Sequence, residues 1–115
     1  MDEKPWMLSS EDWESGDYVE IAYELLDMPV MKTLRAASYV LFIRLVLHSH
    51  AGKSFTLPRK FYKEVGLKKI TFDQSMKQLL NRRFIIAKKE KDAYEFTPEV
   101  MQYIRKGVPH NASKD

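Results

Sequence analysis

The chain predicts an α+β fold, mainly helical, with a small antiparallel sheet and a C-terminal helix. Two long stretches repeat their apolar residues at helical spacing, two short apolar runs flank a polar turn near residue 90, and a Thr-Pro pair near residue 97 has the form of a helix start. At 115 residues, a single domain is the expectation. With 44% apolar residues, among them 6 Phe, 6 Tyr and 2 Trp, the chain can fill a core without staples. Cysteine is absent, which removes disulfides and thiolate metal sites. His48 and His50 stand two apart and point to different faces of a helix, while His110 sits in a polar tail, so neither metal nor cofactor is expected.

The N-terminal segment is polar up to Gly16, apart from Trp6, Met7, Leu8 and Trp13, and residues 1–17 are expected to form a flexible acidic arm. Tyr18 to Ile21 alternates as a short strand does, and Tyr23 to Met28 reads as a helical turn or two that Pro29 interrupts. From Thr33 to His50 the spacing predicts the strongest helix, capped by Thr33, with Leu34, Ala37, Leu41, Leu45 and His48 on one face. Val40, Phe42, Ile43, Val46 and Leu47 extend its apolar surface nearly all round, which places it centrally. A turn at residues 51–54 leads to an extended Phe55-Thr-Leu57, and Pro58 is expected at the first position of a helix that stops at Gly66.

A further helix starts at Lys68 or at Thr71, where Thr71-Phe-Asp-Gln74 has the form of a capping box, and runs to Arg83. Phe72, Met76, Leu79 and Leu80 mark its inward side. Phe84 to Ile86 and Ala93 to Phe96 read as strands of a hairpin with a basic tip at residues 88–92. Thr97-Pro98 opens a last helix that carries Val100, Met101 and Ile104 inward until Gly107, and residues 108–115 are expected to be disordered. The domain proper is therefore set at residues 18–107.

Charge divides the chain sharply. Residues 1–17 hold six acids and one lysine, a net −5, whereas Lys53 to Lys91 hold twelve Lys and Arg against three acids, a net +9. A polyanion partner fits that middle segment. The acidic arm is expected to pack away from any such partner, on its own domain or across a homodimer interface. The longest apolar stretch, Tyr39 to Ile43, is far short of the ~20 residues that span a bilayer, so no membrane contact is expected. The first residues are acidic rather than basic and then apolar, which makes the cytoplasm the expected location.

Two helices joined by a tight Gly66-Leu67 turn and followed at once by a hairpin make a helix-turn-helix with a wing. Residues 56–94 resemble the winged-helix family, with residues 57–66 as the positioning helix and Leu79-Leu-Asn-Arg-Arg-Phe-Ile-Ile86 similar to its helix-to-strand junction. Arg83 departs from that pattern, because glycine is common there. Residues 18–29 and 34–47 extend the resemblance toward the DNA-binding portion of plasmid and phage replication initiators. Winged helices also serve as repressors, partition proteins and conjugation accessories, so the likeness bears on fold more than on role.

The resemblance implies duplex-DNA binding, and the residues supply groups for it. With Phe72 inward, Gln74, Lys77, Gln78 and Asn81 fall on the opposite face, where amides can pair with adenine and lysine with guanine. Lys68, Lys69 and Thr71 near the helix start are expected close to bases, while Arg59, Lys60, Lys63 and the hairpin residues Lys88, Lys89 and Lys91 suit phosphates. An origin of replication, a transfer origin or an operator is the expected target. The alternative is a winged-helix module for an acidic protein partner. Glycine-rich phosphate loops, a catalytic Ser/His/Asp context and paired carboxylates are all lacking, so neither an enzyme nor a small-molecule substrate is expected.

Overall fold

The computed structural model describes residues 6–9 and 18–107. Along the chain come β1 (Trp6–Ser9), β2 (Tyr18–Ile21), α1 (Tyr23–Leu26), α2 (Pro29–Lys32), α3 (Ala36–His48), β3 (Ser54–Thr56), α4 (Phe61–Val65), α5 (Lys69–Asn81), β4 (Ile85–Ala87), β5 (Ala93–Phe96), α6 (Pro98–Met101) and β6 (Ile104–Gly107). The domain is α+β, with two small antiparallel sheets ordered β1-β2-β6 and β3-β5-β4. Among the described residues no helix is long and apolar enough to cross a membrane.

α3 is the central element, as its apolar surface requires. Leu41, Phe42, Leu45 and Val46 are fully buried, and the helix packs on α5. Phe42 meets the rings of Phe84 and Phe96 edge-on at 5.3 and 6.0 Å, which joins α3 to the sheet of β3, β4 and β5. At its far end, His48 Nε2 lies 2.9 Å from the carbonyl of Thr56 and its ring meets that of Phe61 at a tilt, 4.9 Å between centroids, tying α3 to the entry of α4.

Several expected boundaries move, each for a local reason. Pro29 begins α2 at its first position instead of only interrupting α1, and Thr33 then ends α2, its hydroxyl donating to the carbonyl of Val30. The long helix therefore starts at Ala36, with Arg35 rather than Thr33 as its cap. Pro58 does not open a helix. Leu57 N–H donates to the carbonyl of Asp92, which keeps the chain extended, and α4 begins only at Phe61 after a turn closed by Phe61 N–H on Pro58. Strand β4 sits one residue later than expected.

The largest change lies at the end. The last helix stops at Met101, and Ile104–Gly107 is a strand paired with β2, so a strand rather than a helix closes the described chain. Val19 and Ile21 of β2 are buried, and β2 pairs with β6 along its whole length, continued by the Ala22 N–H donating to the Tyr103 carbonyl; this long-range pairing overrides the local helical pattern. β1 adds a third strand on the other side of β2, so the domain edge set at residue 18 falls inside a sheet. Residues 1–5, 10–17 and 108–115, which carry the rest of the expected arm and tail, lie outside the described residues.

Three helices end the same way. After α3, α4 and α5 the residue past the last turn takes a left-handed conformation, at His50 (φ 55°), Gly66 (φ 86°) and Arg83 (φ 63°). In each case the next N–H reaches back five residues, from Ala51 to Val46, Leu67 to Tyr62 and Phe84 to Leu79. Gly66 suits this conformation without steric penalty, whereas the other two force a side chain into it. Arg83→Gly is accordingly expected to stabilise the fold by about 0.5–1 kcal/mol, read as a shift of the urea midpoint at constant slope. A destabilisation would mean that contacts of the Arg83 side chain outweigh its backbone strain.

Candidate nucleic-acid interface

α5 carries a polar outward face and leads directly into the hairpin. Its inner arc runs through Met76, Leu79 and the small Ser75, all buried, with Phe72 half-buried at the centre. The helix starts at Lys69 with Lys68 as its cap, so Thr71 lies within the first turn, half-buried, and the Thr71 capping box does not form. Facing away from the core are Gln74, Lys77 and Asn81, as the spacing predicts, but Gln78 is half-buried. Gln78 Oε1 accepts from the backbone N–H of Arg35 at 3.2 Å, and Gln74 Oε1 accepts from the Arg35 guanidinium at 3.4 Å. The start of α3 thus fixes one flank of α5, and Arg82 adds a bond to the Thr33 hydroxyl.

The residue that stands in the middle of the outward stripe is Ile70, 66% exposed. At about 100° per residue it lies between Gln74 and Lys77, a position that spacing alone gives away once Phe72 is taken as inward. An apolar residue near a helix start reads by default as core, which hides it from a sequence pattern.

On the opposite flank, a cleft of about 310 Å³ opens between α4, α5 and the base of the hairpin. It brings together Arg59 from the α4 entry, Lys69 and Lys77 from α5, and Tyr94 from β5, with the carboxylates of Asp73 and Asp92 among them. Lys69 is engaged inside it. Its ammonium donates to Asp73 at 2.9 Å, and that hydrogen bond and charge hold its pKa above the ordinary lysine value. Burial raises the Tyr94 phenol, with Asp92 and Asp73 adding to the shift. Lys60, Lys63 and Lys68 are exposed on the α4 side.

The hairpin turn carries Lys88, Lys89 and Lys91, all exposed, with Glu90 among them. Lys88 N–H donates to Ala93 and Ala93 N–H to Glu90, so the turn is closed by its own backbone and its cations project without a structural task. α5 and the hairpin are joined tightly. Thr97 donates its hydroxyl to the Arg83 carbonyl at 2.8 Å and its N–H to Phe84 at 3.1 Å, pinning the corner between them. Of the site residues expected from sequence, Arg59, Lys69 and Lys77 line one cleft, Gln74 and Asn81 are exposed on α5, and Lys60, Lys63, Lys68, Lys88, Lys89 and Lys91 are exposed on the adjoining segments, whereas Thr71 and Gln78 are set back, Lys69 is paired with Asp73, and both Gln74 and Gln78 are bonded to Arg35. No protein-family model, curated protein or solved structure matches the chain.

Proposed function

We propose that the chain is a winged-helix domain that binds double-stranded DNA in a sequence-specific way, with α5 in the major groove and the β4–β5 hairpin on the phosphate backbone. The element order α3, β3, α4, α5, β4, β5 and the sheet order β3-β5-β4 support that fold. The observation that carries the function is the outward stripe of α5, where Gln74, Lys77 and Asn81 stand exposed beside a lysine-rich hairpin tip. Amide and ammonium groups on a helix face read base edges, and mobile cations to either side neutralise phosphates. A cytoplasmic DNA site such as a replication origin, transfer origin or operator is the target class that the resemblance to replication initiators favours, and the active species is a monomer or a homodimer.

The test is the salt dependence of duplex binding. Contact with several phosphates gives a fall in log affinity with log salt of about 0.9 per contact, so a steep slope supports the proposal. A flat response, with no preferred sequence emerging from selection on random duplexes, would overturn it and assign the basic side to an acidic protein partner. Gln74→Ala is expected to weaken the selected site by about 1–3 kcal/mol and leave random DNA nearly unaffected. Titration of both duplexes checks this, and equal losses would remove Gln74 as a base reader.

A further inference from the structure

We infer that Ile70 is a specificity residue that packs on the C5-methyl group of a thymine; this rests on the proposed DNA reading of α5. Ile70 is two-thirds exposed, more than Tyr23, Val40 or Ile86, the other large apolar side chains that stand out on the described surface. Leaving a branched aliphatic side chain in water gains nothing for the fold, and its neighbours on the same stripe are Gln74 and Lys77 rather than other apolar groups. It is therefore a single apolar point in a polar, cationic face and not part of a protein-docking patch.

Two further features choose the occupant. The surrounding segment, Lys53 to Lys91, is net +9, which attracts a polyanion and disfavours a lipid tail or an apolar peptide. Within a major groove the thymine methyl is the one apolar group on any base edge, so an aliphatic side chain among hydrogen-bonding neighbours has one matching partner there. Ile70 also sits at the second position of α5, the end of a recognition helix that comes nearest the bases in helix-turn-helix docking. Gln74, one turn further along, is in place to read the next base pair.

The experiment uses the full chain and its preferred duplex from selection. Each thymine is replaced in turn by deoxyuridine, which removes the methyl and keeps the base pair. Wild-type protein is expected to lose roughly 3- to 10-fold in affinity at one or two positions, as one buried methyl implies. Ile70→Ala is expected to bind the thymine duplex correspondingly less well and to be indifferent to deoxyuridine at those positions, while Ile70→Val keeps part of the discrimination. Circular dichroism confirms that both variants fold, as the exposure of Ile70 implies. Binding with no deoxyuridine-sensitive position, or an Ile70→Ala variant that keeps full sensitivity, overturns the inference and leaves the DNA reading intact. Failure to bind any duplex overturns both.

Discussion

Phe42→Ala should remove about 3–5 kcal/mol of folding stability, the largest single effect expected in this domain. The side chain is fully buried in the middle of α3, and its ring touches Phe84 at the start of the hairpin and Phe96 at its end. Truncation leaves a cavity where the long helix, the corner after α5 and the β3-β5-β4 sheet meet. Relaxation is limited because those partners belong to separate elements that cannot all move inward together. Urea unfolding of wild type and variant measures the loss, and a change below about 1 kcal/mol would contradict this placement. By contrast Phe72→Ala should be milder than Leu79→Ala, since Phe72 is only half-buried whereas Leu79 is fully enclosed.

The second large effect concerns binding. Replacing Lys88, Lys89 and Lys91 together by Ala is expected to lower affinity on the order of 10- to 100-fold at low salt, for selected and random duplexes alike. The salt slope should become shallower by about 3, one for each lost phosphate contact. Folding should be unaffected, because the turn is closed by backbone bonds of Lys88 and Ala93 and the three side chains are exposed. An unchanged slope would show that the hairpin tip does not touch phosphate. A loss confined to the selected site would instead make these lysines base readers.

Where side-chain period and burial agree, the sequence was enough. α5 shows its inward arc through Phe72, Met76 and Leu79, and β5 falls on the expected residues, because an alternating run after a polar turn has few other ways to satisfy its backbone. Residues 104–107 escaped because Val100 and Ile104 fit a helical period equally well, and only β2, from the opposite end of the domain, decides for a strand. The two internal prolines split for a similar reason. Pro29 starts a helix, but Pro58 is held extended by a bond from Leu57 to the hairpin that no local rule contains. Within the candidate site, charge and amide positions were legible, while the pairing of Lys69 with Asp73 and of Gln78 with Arg35 depended on rotamers and on a helix distant in sequence.

The corner pinned by Thr97 makes α5 and the hairpin behave as the two jaws of a calliper whose opening is set when the chain folds. Re-aiming the base of the hairpin against α5 breaks the bonds of Thr97 to Arg83 and Phe84, in a region where Phe84 and Thr97 are buried. Under the proposed DNA reading, a duplex held by both would supply much of the accommodation itself, by bending or by narrowing a groove, and the energy of that deformation depends on base steps that no side chain reaches. Base pairs lying between the jaws would thus alter affinity through their stiffness alone.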